Sequence, residues 1–480
     1  MRVDWLLVNG RFYTMDRAAP QVTALAIYGG QIVAVGETEG LRDEFLASEV
    51  LDLGGRCVIP GLTDAHIHFE SYALSLQWVD LHEVLSLEEA LRRVAARVAE
   101  TPPGKWIRGH GWFQEIWPGR AFPTAADLDQ VAPHNPVFLT HKSGHACWVN
   151  SRALEIAGIS ADTPDPEGGQ IVRDANGTPT GLLLEDTIGL VSEYVPEPAP
   201  DEVDAALRAA FPHAHKLGLT GIHDCDGRGA FLAYQRLYQR GELELRVHKH
   251  VPSELLDDAI GVGLRSGLGD DWLRVGHVKI FADGALGPRT AWMIAPFEGE
   301  PHNRGIPIHA PEALEALICR AAEHDFACAV HAIGDQANRA VLNALERAGR
   351  GKAPMPHRIE HVQLLHPDDV PRLAELGVVA SMQPIHATQD MDMADRYWGE
   401  RAALSYAWKS LLDQDTVLAF GSDSPVEDLS PFPGIHAAAT RRRPGEEGAG
   451  WYAEQQVTVA EAVEAYTLGA AHAAGAAGRL

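Results

Sequence analysis

In the stretch VIPGLTDAHIHFES (residues 58–71), two histidines, His66 and His68, stand one residue apart at the end of an apolar run. In a strand, residues i and i+2 point to the same face, so both imidazoles are expected to project into one space. Other apolar runs also close on polar residues: His223 in LTGIHDCD, Lys279 in LRVGHVKIFADG, His331 in FACAVHAIGD, His361 in PHRIEHVQ and Asp423 in TVLAFGSDSP. Neutral imidazole and carboxylate are good ligands for Zn²⁺ and similar ions, and coordination requires donors close in space rather than in sequence. A divalent metal is therefore the expected occupant. Taken singly, the histidines could be core residues satisfied by hydrogen bonds, the lysine a snorkelling side chain and the aspartate a turn cap. Their joint placement at strand ends favours the metal.

The elements that must position these residues can be read from the same runs. Eight strand-like runs, RCVIPGLTDAHIH, LTGIHDCD, LELRVHKHV, LRVGHVKIFADG, FACAVHAIGD, PHRIEHVQ, GVVASMQP and TVLAFGSDSP, alternate with mostly helical stretches. That is the count of an α/β fold of the (β/α)8 TIM-like barrel type, whose catalytic residues gather at the carboxyl ends of the strands. Ahead of it, residues 1–56 carry short β-like runs separated by glycine-rich turns, the N-terminal part of a small β domain. The barrel is expected over 57–465. Between its first and second strands, residues 70–215 are too long for a simple helical connection and are rich in Trp, Pro and Gly; they are expected to form an inserted cap or lid.

Composition bounds the function. With 480 residues, 46% of them hydrophobic, the chain can bury a large core, and at about 150 residues per domain it allows a barrel plus an accessory unit. A formal net charge of −26 repels phosphate backbones and anionic membrane surfaces, so neither nucleic acid nor membrane is an expected partner. The five cysteines, Cys57, Cys147, Cys225, Cys319 and Cys328, are scattered without a C-x-x-C pair, and no apolar run approaches a membrane span, so a cytoplasmic protein is expected. After the H-x-H pair, Glu70 and Ser71 stand where a metallo-β-lactamase needs Asp and His. No G-x-S-x-G elbow, Walker A loop or strand-linked G-x-G-x-x-G supports serine hydrolysis, NTP use or dinucleotide chemistry.

The motifs DAHIH, VKIFADGALGPRTA, AVHAIGD, IEHVQ and GSDSPV, in that order and spacing, together with GHACWVNSRAL in the insertion, resemble the amidohydrolase superfamily. The likeness is closest to its YtcJ-like branch, which includes N-substituted formamide deformylases, and it spans almost the whole chain. It implies His66 and His68 as first-strand ligands, Lys279 as the fourth-strand lysine, His331 and His361 as ligands of strands five and six, and Asp423 as ligand and proton carrier. It also implies one or two divalent ions, zinc first among them, and N-carboxylation of Lys279, since a carbamate supplies two oxygens where an ammonium would repel cations. Relatives usually continue into strands that complete the small sheet with a G-x-x-A-D turn. This chain reaches only YTLGAAHAAGAAGRL, so residues 466–480 are read as the start of that return and an omitted C-terminal segment is expected.

The chemistry expected is hydrolysis of a carbon–nitrogen bond in an amide, an N-formyl or N-acyl amine or a cyclic amide, with Asp423 moving the proton. Ester or phosphoester hydrolysis on the same barrel, and a catalytically silent metal-binding scaffold, are the alternatives. A scaffold needs no proton carrier at Asp423. His145, His223, Trp112 and Arg289 are candidate contacts to a small-molecule substrate, although either histidine could equally anchor a loop. Trp112, Trp117 and Trp148 either line an apolar pocket or simply pack. A homodimer stays open.

Overall fold

The computed structural model describes residues 1–142, 146–166, 169–287 and 289–478. The chain folds as two units, one made of Met1–Ile67, Ala214–Cys225 and Leu245–Leu480, the other of His68–His213 and Asp226–Glu244.

The first unit holds an eight-stranded parallel sheet: β1 (Leu62–Ile67), β2 (Leu219–Asp224), β3 (Arg246–Pro252), β4 (Leu273–Phe281), β5 (Cys328–Ala332), β6 (Arg358–His361), β7 (Val379–Met382) and β8 (Leu418–Phe420). Each strand pairs with the next in chain order. These strands are buried on both faces, which is why they read as near-continuous apolar runs. The edges β1 and β8 come together beyond β8: Asp423 N–H donates to the His66 carbonyl at 2.7 Å and Ser422 N–H to the Asp64 carboxylate at 3.0 Å. The result is a nearly closed TIM-like barrel. Amphipathic helices follow the strands; Asp335–Ala348 buries Val341, Leu342 and Leu345, and Pro311–Glu323 buries Leu314 and Ile318.

The run RCVIPGLTDAHIH, expected as one strand, is two. Cys57–Val58 pairs with Arg11–Tyr13, which also pairs with Gln21–Val22, and Pro60 and Gly61 intervene before β1. Proline has no N–H to give a ladder, so the strand breaks there. β1 then ends at Ile67, and His68 turns out of strand geometry (φ −108°, ψ 76°) to begin the helix Phe69–Ser75. His66 is thus the penultimate residue of β1, and His68 the first beyond it.

The N-terminal segment adds a four-stranded sheet in the order Gln31–Gly36, Ala24–Tyr28, Arg2–Val8, Leu46–Asp52. Val3, Leu6, Val8, Ala24 and Ala26 bury one face with Leu41 and Phe45. The second unit is built on a mixed six-stranded sheet in the order Gly169–Arg173, Pro179–Glu185, Ala146–Val149, Val137–His141, Ile107–Trp112, Val79–Asp80. Its apolar residues form two buried clusters, one around Trp112, Trp117 and Trp148 and one around Phe138, Val149 and Leu183. Among the described residues no helix is long and apolar enough to cross a membrane.

Candidate active site

His66 at the end of β1, His361 at the end of β6 and Asp423 just past β8 offer ligand atoms that lie within 4.8 Å of one another, and all three are buried. His66 Nε2 stands 3.5 Å from Asp423 Oδ1. The His361 ring lies 4.8 Å from that of His66 and 4.6 Å from that of His331, centroid to centroid. His331, on β5, directs Nε2 at the Gly284 carbonyl at 3.0 Å; the proton is therefore on Nε2 and Nδ1 carries the lone pair. Lys279, on β4, is buried, with Nζ 4.7 Å from the Phe281 ring centroid. His68 belongs to the second unit, where Nδ1 meets Asp226 Oδ1 at 3.2 Å and Asp226 also accepts from the Glu70 and Ser71 amides.

Burial pushes the imidazolium forms away: His66 goes down to about 4, His331 to about 3, and His361 well below the ordinary histidine value, with Lys279 adding repulsion at each. All three are neutral imidazoles at pH 7. Neutral imidazoles beside a carboxylate are the donor set a divalent ion takes, so these residues fit one.

The nitrogens turned away from this cluster are held. Glu360 Oε2 accepts from His66 Nδ1 at 2.5 Å, and Gln383 Oε1 accepts from His361 Nδ1 at 2.7 Å. Each bond leaves Nε2 as the lone-pair nitrogen, the arrangement that orients metal-ligating histidines. Although burial raises the Glu360 carboxyl, Arg358 and then His66 hold it well below the ordinary carboxylate range. The Arg358 guanidinium grips both oxygens, Nε on Oε1 at 2.5 Å and Nη2 on Oε2 at 2.9 Å. The backbone is strained at two of these positions: His361 (φ +74°) and Asp423 (φ +60°) adopt left-handed conformations, as does the β-branched Val362 (φ +46°). Gly421 allows the tight approach of β8 to β1, since a Cβ there would lie 2.4 Å from the His66 amide nitrogen.

A matching family bears on this geometry directly: the amidohydrolase family profile covers residues 49–480. The chain belongs to the amidohydrolase family. It is 34% identical to YtcJ of Bacillus subtilis (strain 168) over 96% of this chain and 89% of that protein, and falls in the YtcJ-like branch. It is 30% identical to the N-substituted formamide deformylase of Arthrobacter pascens over 98% of this chain and 90% of that one. A crystal structure of an uncharacterized metal-dependent hydrolase from Pyrococcus horikoshii OT3 superposes with a TM-score of 0.82 at 28% identity, covering 98% of this chain and 93% of that one.

The contacts of the other residues of this amidohydrolase singled out from the sequence are as follows. His223, at the end of β2, accepts from Arg358 Nη1 at 2.8 Å, and its ring lies 4.8 Å from that of His248. Trp112 is wholly buried with Nε1 donating to the Leu139 carbonyl at 2.9 Å, and Trp117 and Trp148 are packed against it; these rings are core. Trp112 therefore has no exposed surface to offer a substrate. Arg289 is partly exposed and pairs with Glu300 at 2.7 Å. His145 lies outside the described residues.

Sequence reasoning missed Glu360, Arg358, Gln383 and His386. The last sits on the helix Pro384–Trp398, its Nε2 3.8 Å from Asp423 Oδ2 and its ring stacked 6.2 Å from His361. One signal was available: Arg358 and Glu360 are two opposite charges two residues apart inside a buried strand, and such charges are rare unless paired.

Proposed function

We propose that this amidohydrolase hydrolyses the carbon–nitrogen bond of a small N-formyl or N-acyl amine, amide or cyclic amide, with Asp423 as proton carrier. The observation that carries this reading is the convergence of His66, His361 and Asp423 within 4.8 Å, each imidazole fixed from behind by an acceptor. The donor chemistry favours zinc, and the family resemblance adds His68, Lys279 and His331 to the set, with Lys279 N-carboxylated. When bound there, a divalent ion lowers the pKa of a water and polarises the scissile carbonyl. Glu360 and Gln383 keep the His66 and His361 rings in one tautomer and one orientation. Asp423 takes the proton that the attacking water loses and returns it to the departing nitrogen, a transfer helped by its place beside His66. A relative bearing the name of a deformylase makes N-formyl amines the first substrates to test.

The experiment is a measurement of bound metal and turnover on a panel of N-formyl amines, N-acyl amines, cyclic amides and esters. Metal together with turnover of a C–N substrate is expected. Turnover confined to esters would replace the substrate class, and metal without any turnover would favour a silent scaffold. In the same assay Lys279→Ala should hold less metal and recover part of its activity with added short carboxylic acids. Full metal and turnover in that variant would make Lys279 structural.

A further inference from the structure

The second unit contains another grouping of metal-ligand side chains. Asp80 ends the edge strand Val79–Asp80, His82 follows two residues later, and His110 lies opposite Asp80 on the neighbouring parallel strand Ile107–Trp112. One ligand atom from each falls within 4.8 Å of the others. Asp80 Oδ1 accepts from the His82 amide at 2.9 Å and from His82 Nδ1 at 3.0 Å. The His82 and His110 rings stand 4.9 Å apart, edge to face.

His110 supplies the independent observation. Its Nε2 is buried and has no hydrogen-bond partner. With the ring proton on Nδ1, Nε2 offers a lone pair that no described protein group uses. A buried imidazole nitrogen without a protein partner, set beside a second imidazole and a carboxylate, is suited to a metal ion. Gly111 makes room for the partner ring: at φ +88° its missing Cβ would lie 2.5 Å from His82 Nδ1, so any side chain would push His82 away.

We infer that Asp80, His82 and His110 form a site for a first-row divalent transition cation, additional to the donors of the barrel. Two imidazoles and a carboxylate fill three positions of a zinc-like sphere and leave the rest to water. The ion takes the place of the proton that His82 Nδ1 shares with Asp80, and the ring keeps that proton on Nε2. Its effect is to tie the two-residue edge strand and the turn after it to the adjacent strand, where the ladder alone joins them only at Gly109 and His110.

The test uses the full-length protein and Zn²⁺ as the probe, with metal counted after removal of unbound ion and unfolding followed by heat. Wild type should retain one zinc equivalent more than His82→Ala/His110→Ala and lose part of its thermal stabilisation by zinc in that variant. Asp80→Asn, which keeps size and shape, should weaken the same equivalent about tenfold or more and guards against misfolding of the double variant. Equal zinc in wild type and both variants, or a difference seen only at millimolar zinc, would mean an adventitious ion only and overturn the inference.

Discussion

Two histidine clusters in the first unit invite comparison. One comprises His66, His331 and His361 at the carboxyl ends of the barrel strands; the other comprises His248 and His250 on β3 and His277 on β4. Burial strips the proton from both: His248, His250 and His277, like His361, are held well below the ordinary histidine value. The two differ in what the nitrogens touch. In the interior cluster His277 Nε2 meets the Pro356 carbonyl at 3.0 Å, which puts its proton there and makes Nδ1 the acceptor for His248 Nε2 at 3.1 Å. The His277 amide in turn donates to His250 Nδ1 at 3.1 Å. Four of the six ring nitrogens are satisfied in this way, whereas His248 Nδ1 and His250 Nε2 have no hydrogen-bond partner. At the strand ends, Glu360 and Gln383 take the outward nitrogens, and Asp423 stands on the inward side. Burial makes an imidazole neutral; the acceptor behind it decides whether its lone pair serves a ligand or a neighbour.

The comparison breaks most visibly at Asp423, the carboxylate that the interior cluster lacks. Asp423→Asn keeps size and one oxygen but cannot carry the proton, so turnover should fall at least roughly a hundredfold, within the ~10² to 10⁴ range of lost general acid–base catalysis. The variant should fold and keep part of its metal through the histidines. Near-normal kcat on a verified substrate would remove Asp423 from the mechanism and make His386, 3.8 Å away, the next residue to test.

Gln383→Leu sharpens the same contrast by removing the acceptor behind His361. Metal affinity, read by competition with a chelator, should weaken about 10- to 100-fold with the fold intact. Unchanged affinity would show that the His361 ring is oriented by packing alone.

The smallest effect on activity is expected at His248, which faces His223, His277, His250, Arg358 and Arg274. His248→Leu should leave bound metal and kcat unchanged. Because His248 stays neutral in the fold while the unfolded chain takes a proton below about 6.5, its contribution to stability is present above that pH and is lost as pH falls, by up to ~1.4 kcal/mol per pH unit. The drop in melting temperature between pH 7.5 and 5.5 should therefore be shallower in His248→Leu than in wild type. Loss of metal in that variant would erase the distinction between the clusters.

The sequence by itself determined the barrel and most of its polar crown. Parallel strands buried on both faces must be apolar along their length, so His66, His223, Lys279, His331, His361 and Asp423 stand out at the point where each run stops being core. It could not determine how those residues face one another. His68 lies one residue past the end of β1, where no ladder holds a period-2 rule in force. Glu360 and His361 show the converse. Strict alternation puts adjacent residues on opposite faces, yet left-handed backbone at His361 ends the alternation and both side chains reach His66. The tryptophans of the second unit, readable as pocket lining, were assigned to core because Trp112, Trp117 and Trp148 meet across a sheet whose strand order no local pattern encodes. Tertiary structure likewise chose which histidines present lone pairs, since that depends on acceptors such as Glu360, Gln383 and Pro356, brought in from other elements. A residue's type and its place on a strand are local properties. The partner of its second nitrogen is set only when the sheet closes.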